Sequence, residues 1–343
     1  MLVLKSPING SVVSIRTDAQ KAFSEDGDLR KNMDGNLSFT WYDLKRQGVD
    51  DTIPMPVSFA FDEQGNEQTD EDAYYYLLVS ESANMSAPWV YITKDRALDV
   101  YNLKVGTKYY WCVQRGGQRS DVSSFETLLT LPRCLKIDSI SNVRDIGGYS
   151  VDNGRRIRQG LVYRGGEFEL HMHLDPSGAR ELCRIGIRTE LDMRAEAKGK
   201  IDKTTAECIG IKRIFVPSSP YTEVFDKNQR ASLKKFFKSL ADKSNYPIYF
   251  HCWGGADRTG TFAFILGAFL GMSFDDLIYE YEFTSLSIWG IRNRNYVEFD
   301  KFLKLFMELD GNTLKEKSTT FLKDYAGLTD KQLASIYEIL VNK

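Results

Sequence analysis

Ten consecutive residues, His251 to Gly260 (His-Cys-Trp-Gly-Gly-Ala-Asp-Arg-Thr-Gly), constrain this chain more than any other stretch. The apolar run Pro247-Ile-Tyr-Phe250 leads into them and reads as a short buried strand. Residues 261–270 follow, apolar on nearly every face, and read as a buried helix. A strand, a Gly-containing loop and a helix in that order turn backbone N–H groups toward one concavity. Together with the unpaired donors of the helix N-terminus they form an anion site.

Two side chains make that site reactive. Cys252 stands where loop amides and the positive helix end favour a thiolate. In such settings a cysteine pKa falls from about 8.5 to roughly 3.5–7.5, giving a nucleophile at neutral pH. Arg258, six residues on, offers a planar fork of donors to two oxygens of a tetrahedral oxyanion. Gly254 and Gly255 admit the backbone close to the anion, where a Cβ would obstruct it. Trp253 and Ala256 complete the loop, and the Thr259 hydroxyl is suited to stabilise the sulfur as a leaving group. The pattern fits phosphoryl transfer through a cysteinyl-phosphate. Of the five cysteines, 112, 134, 183, 208 and 252, only Cys252 has an Arg six residues later.

His-Cys-x5-Arg-Thr-Gly resembles the signature of the cysteine-dependent protein tyrosine phosphatases. Asp257 directly before Arg258 resembles their bacterial-type branch with a dual-specificity-like core, whose usual loop is His-Cys-x-x-Gly-Lys-Asp-Arg-Thr-Gly. Asn142-x-Arg144-Asp145-x-Gly147-Gly148 is a second stretch similar to that branch. So are Arg164-Gly165-Gly166, where the family usually has Arg-Ser-Gly, and Asp192-Met-Arg194. The resemblance spans residues 136–343 and implies an α/β phosphatase domain with a parallel-type central sheet and flanking helices. It further implies phosphomonoester hydrolysis, phosphotyrosine first, without a metal or other cofactor. Asp257 is the expected general acid and Asp226, after the Pro217–Pro220 loop, the alternative. His251, Arg144, Asp145 and Arg164 are expected to orient the loop from behind. Ala256 departs from the pattern, because the branch often has a Lys there that serves multiply phosphorylated lipids or sugars. Phosphoinositide or inositol-phosphate hydrolysis, and a catalytically silent phosphate-binding adaptor, remain the alternatives.

The rest of the 343 residues limits the partners. A net charge of −2 argues against a general nucleic-acid binder. Residues 1–131 carry 13 Lys/Arg against 19 Asp/Glu, a net of −6; residues 132–343 carry 32 against 28, a net of +4. A mildly basic second part fits an anionic substrate, a phosphorylated protein or a small phosphomonoester. The cysteines are odd in number and lack CxxC spacing, so neither a disulfide framework nor a zinc site follows. His171 and His173 have a His-x-His spacing, but two histidines alone are not a metal site and they read as a solvated strand end. Met1–Pro7 does not read as a signal peptide, and residues 261–270 are too short to span a membrane. The compartment stays undetermined.

Residues 1–131 alternate short β-type runs with turn clusters, as in a sandwich. Strands are predicted at 11–15, 37–44, 57–61, 74–80, 89–92, 108–114 and 122–127, with residues 62–72 as an acidic loop. Leu103-x-Val105-x-Thr107-x-Tyr109-x-x-x-Val113, with Trp41 in an early strand, resembles a fibronectin type III or immunoglobulin-like sandwich. That resemblance implies a spacer or a docking module for a protein or surface. A boundary is expected near residue 132. Beyond it a hairpin is predicted, with 149–151 turning at Asp152-Asn153-Gly154 and returning through 161–164.

Overall fold

The structure, a computed structural model, describes residues 1–25, 48–64, 74–201 and 205–342. They form two compact units: Met1–Thr17 with Pro54–Leu131, and Asp18–Ile53 with Pro132–Lys343.

The first unit consists of strands β1 (Leu2–Ser6), β2 (Ser11–Val13), β3 (Val57–Glu63), β4 (Tyr75–Ser80), β5 (Trp89–Thr93), β6 (Ala97–Val100), β7 (Lys108–Arg115), β8 (Gln118–Arg119) and β9 (Ser123–Thr127). They pair as one sheet β1-β3-β6 and a second β2-β9-β7-β4-β5, with β8 on β7. Period-two alternation sets the faces: Tyr75, Leu77 and Val79 of β4 are buried while Tyr76 is exposed. The core gathers Phe59, Trp111, Tyr109 and Phe125, with Phe59 edge-on to Trp111 at 5.0 Å. The Tyr109 hydroxyl accepts the Lys104 amide proton at 2.7 Å. The strand predicted at 37–44, its Trp41 and most of the acidic loop lie outside the described residues.

The second unit is a mixed α/β domain. Its elements are α1 (Asp18–Glu25), β10 (Arg133–Cys134), β11 (Arg144–Asp145), β12 (Val162–Gly165), α2 (Pro176–Arg184), β13 (Thr189–Asp192), β14 (Lys212–Phe215), α3 (Arg230–Leu240), β15 (Ile248–His251), α4 (Asp257–Leu270), α5 (Phe274–Glu282), α6 (Val297–Met307), α7 (Leu314–Asp324) and α8 (Asp330–Leu340). Strand order is β10-β11-β12-β15-β13-β14. The last four run parallel, and β10 and β11 add antiparallel at one edge. All four residues of β15 are buried, as an interior parallel strand covered on both faces requires. Phe236 of α3 covers that strand, edge-on to Phe250 at 5.3 Å.

Helix ends follow local chemistry. Asp175 caps α2 by accepting the Gly178 amide at 2.7 Å, with Pro176 in the first turn. Thr313 and Thr329 open α7 and α8 with capping boxes to Glu316 and Gln332. α4 starts at Asp257, four residues before its apolar run, and stops where Gly271 turns left-handed.

Two expectations are corrected. The 161–164 strand does not return on 149–151: β12 pairs with β11 and β15, and the Asn153-Gly154 turn closes only a Ser150–Arg156 bridge. Nor does an unbroken first domain fill 1–131, because the described residues 18–25 and 48–53 belong to the second unit. The cause is apolar: α1 buries Phe23 against Tyr279 and Phe283, at 6.0 and 5.7 Å.

Candidate active site

β15 delivers the chain into residues 252–256, and α4 takes it away. Cys252 lies at the base of this turn, only 3% exposed. Every carbonyl from 252 to 255 accepts a proton from outside the loop. His251 Nδ1 lies 2.8 Å from the Cys252 oxygen, and the Glu167 amide donates to the Trp253 oxygen at 2.9 Å. Asn142 Nδ2 donates to the Gly254 and Gly255 oxygens at 3.1 and 3.2 Å, and the Arg164 guanidinium also donates to Gly255. In a trans peptide the N–H points opposite its C=O, so carbonyls held outward turn the amides inward. The result is a preorganised donor cup, the electrostatic requirement for stabilising an oxyanion.

Both loop glycines are required by what lies outside the cup. A Cβ on Gly255, whose φ is +66°, would sit 2.2 Å from the Gly165 carbonyl oxygen; one on Gly254 would meet the Trp289 indole at 2.5 Å. The backbone therefore packs directly on β12 and on an aromatic ring. Ala256 is buried, leading into α4.

Arg258 forms a two-pronged ion pair with Glu196, at 2.8 and 2.7 Å. Burial acts to lower its pKa, but Glu196 and the Cys252 sulfur outweigh burial and raise it. A guanidinium has five N–H donors, so this pairing leaves others for a bound oxyanion. Thr259 Oγ1 is buried without a hydrogen-bond partner among the described residues.

Behind the cup, Arg144 and Arg164 are fully buried and share Glu280, at 3.0 and 2.7 Å. Burial disfavours the Glu280 carboxylate, yet the two guanidinium groups hold its pKa below the usual range. Arg144 also reaches Asn142 Oδ1 and, at 3.1 Å, Thr284 Oγ1. Asp145 is directed elsewhere: it binds Arg133 and the Gly147 and Gly160 amides, each at 2.7 Å, and fixes the chain between β11 and β12. Removing one partner of a buried cluster leaves uncompensated charge. Glu280→Gln is therefore expected to cost about 3–5 kcal/mol of folding stability, read from urea denaturation.

The expected acid is not unpaired. Asp257 Oδ1 and Oδ2 accept from Arg292 at 2.7 and 3.1 Å, and the Tyr221 hydroxyl donates to Oδ1. Burial favours its neutral form, but Arg292 and Tyr221 win and hold the pKa below the usual carboxylate range. Tyr221 is itself strained, with φ of +52°, and its amide donates to Thr261 Oγ1 at 3.0 Å. Asp226 is exposed at the far end of the 3-10 turn Tyr221–Phe225.

At the mouth, Trp253 is 41% exposed and stacks on His171, ring centroids 3.9 Å apart. This corrects the reading of His171 as a solvated strand end: it lies in a loop and its Nδ1 meets Glu167 at 2.8 Å. His251, fully buried, meets Glu190 at 2.8 Å through Nε2. Burial opposes charging of that ring, and Glu190 outweighs it, raising the pKa. Glu190, Asp192 and His251 cluster within 4.8 Å, but Arg194 and Arg213 already bind Asp192. Glu196, Glu280, Arg292, Tyr221 and Trp289 were not singled out from sequence. Glu280 left one signal, a carboxylate inside the apolar run Leu277-Ile-Tyr-Glu-Tyr281.

A parallel sheet thus feeds a buried thiol into a turn with outward-held carbonyls, and a guanidinium follows on the next helix. Residues 135–342 match the Tyrosine phosphatase family, and the chain belongs to it. Among curated relatives, Putative tyrosine-protein phosphatase H16_A0669 of Cupriavidus necator is 29% identical over 174 residues, 43% of this chain and 61% of its own length. The match thus spans about three fifths of that relative. The core catalytic domain of the PP-IP phosphatase SIW14 of S. cerevisiae, solved with citrate, is 17% identical with a TM-score of 0.33, covering 54% of this chain and 94% of that one.

Proposed function

We propose that this protein hydrolyses phosphomonoesters, phosphotyrosine in proteins foremost, through a cysteinyl-phosphate on Cys252. The observation that carries the reading is the buried thiol beneath amides whose four carbonyls are all pinned outward. The Cys252 sulfur attacks phosphorus in line; the S–P bond forms as the P–O bond to the leaving group breaks. Cup amides and Arg258 hold the equatorial oxygens as charge grows there. Asp257 gives a proton to the departing oxygen; then, as base, it takes one from the water that cleaves S–P. Arg292 and Tyr221 keep Asp257 ionised before substrate arrives. The incoming dianion raises its pKa and lets it take up the proton it must deliver.

Ala256 in place of a second cation, and the exposed Trp253 face at the mouth, support an aromatic ester over a multiply phosphorylated sugar. For the first unit, its two sheets and the Tyr109–Lys104 hydrogen bond support a fibronectin III-like docking module.

The acid role has its own test. Asp257→Asn is expected to slow phenyl phosphate about 10²-fold, and p-nitrophenyl phosphate much less, since a good leaving group needs no proton. Equal losses on both esters would take the role from Asp257.

A further inference from the structure

The family match begins at residue 135, yet the catalytic unit starts over a hundred residues earlier. Two described pieces, 18–25 and 48–53, lie within that unit. They are fixed to each other and to the layer behind the loop. Gln20 Nε2 donates to the Asp51 and Ile53 carbonyls, both at 2.9 Å. The Asp51 amide donates to the Leu286 oxygen at 3.0 Å, and Phe23 packs on Tyr279 and Phe283 of the same layer.

Asp50 stands at the end of this attachment. One carboxylate oxygen accepts the Asn142 amide at 2.7 Å; the other accepts the Thr52 amide and hydroxyl at 3.1 and 2.6 Å. Asn142 is the residue whose side chain holds two of the four loop carbonyls. Its backbone is left-handed, φ +61°, a region that Asn enters readily. Arg144 grips the Asn142 side-chain oxygen, which fixes the amide nitrogen toward the loop. Three links therefore connect Asp50 to the donor cup: carboxylate to Asn142 backbone, Asn142 side chain to the Gly254 and Gly255 carbonyls, carbonyls to the inward amides.

We propose that Asp50, carried by a segment outside the family domain, is a positioning residue for the phosphate loop and acts through Asn142. The described pieces 18–25 and 48–53 are on this account part of the catalytic machinery. The inference rests on the phosphatase reading of the loop.

The test uses the full chain, with p-nitrophenyl phosphate turnover and orthovanadate inhibition as readouts. Melting temperatures set an assay temperature at which every variant is folded. Asp50→Ala and Asn142→Ala are each expected to lower kcat/KM about 10-fold, since small misplacements of a preorganised site carry penalties of this order, and to weaken vanadate similarly. The double variant is expected to be no worse than the poorer single one, because both act along one path. Should Asp50→Ala not fold, Asp50→Asn carries the same expectation: it keeps the shape and an acceptor for Thr52 but turns a donor toward the Asn142 amide. Wild-type kinetics and vanadate affinity in the Asp50 variant would overturn the inference. So would losses that multiply in the double variant, the mark of an independent structural effect. An inactive wild type would instead remove the phosphatase reading itself.

Discussion

Cys252→Ser is expected to abolish turnover of aryl phosphates, by about 10⁴-fold or more, while phosphate and vanadate still bind. The two halves follow from different parts of the site. Attack on phosphorus needs a strong nucleophile, and a serine hydroxyl is a far weaker one than a cysteine sulfur. Nothing described beside it activates that hydroxyl: Asp257 must serve as the acid in this step, and His251 is turned to the Cys252 carbonyl and Glu190. The cup is built from backbone, held by Asn142, Arg164, His251 and Glu167, and none of these contacts involves the sulfur. Oxyanion affinity thus survives where catalysis does not. Steady-state assay and vanadate titration on the same preparation check both halves. Residual turnover within 10-fold of wild type would remove Cys252 from the reaction.

Arg258→Lys carries the second largest effect, a loss of about 10³-fold in kcat, the scale at which an arginine supports charge on a transferring phosphoryl group. The substitution keeps the positive charge and removes the fork. Arg258 meets both oxygens of Glu196 at 2.8 and 2.7 Å, a geometry that a single ammonium cannot reproduce. A lysine drawn to Glu196 would have no second arm for the phosphoryl oxygens, which gain charge as the P–O bond breaks. The loss should fall on kcat more than on KM, because the missing contact strengthens toward the transition state. An equal change in both would mean that Arg258 only binds.

What was legible in the sequence has a common property: it is contiguous. His251 to Gly260 carry nucleophile, guanidinium, glycines and hydroxyl within ten residues, and β15-loop-α4 follows from the apolar runs on either side. Asp175 and Thr329 cap their helices through side chains a few residues from the amides they bind. The parts that were not legible are joined across long separations. Glu280 meets Arg164 across 116 positions, Glu196 meets Arg258 across 62, and Asp50 meets Asn142 across 92. Pairing of charges at such distances is decided by topology, which local periodicity does not encode. The same holds for His171: its ring faces Trp253 because the loop around Glu167 folds back, and nothing in His-x-His spacing foretells that. Arg164 was expected behind the loop only through resemblance, and Asn142 was noted only as part of a similar stretch; their hydrogen bonds to the loop carbonyls supply the physical reason.

The most direct measurement is to quench the enzyme in acid-free denaturant during p-nitrophenyl phosphate turnover and map phosphate by mass spectrometry of its peptides. A phosphoryl group is expected on the peptide holding Cys252, lost in Cys252→Ser and accumulating when water attack is slowed by Asp257→Asn. Steady turnover with no adduct on that cysteine, or an adduct on another residue, would contradict the cysteinyl-phosphate route.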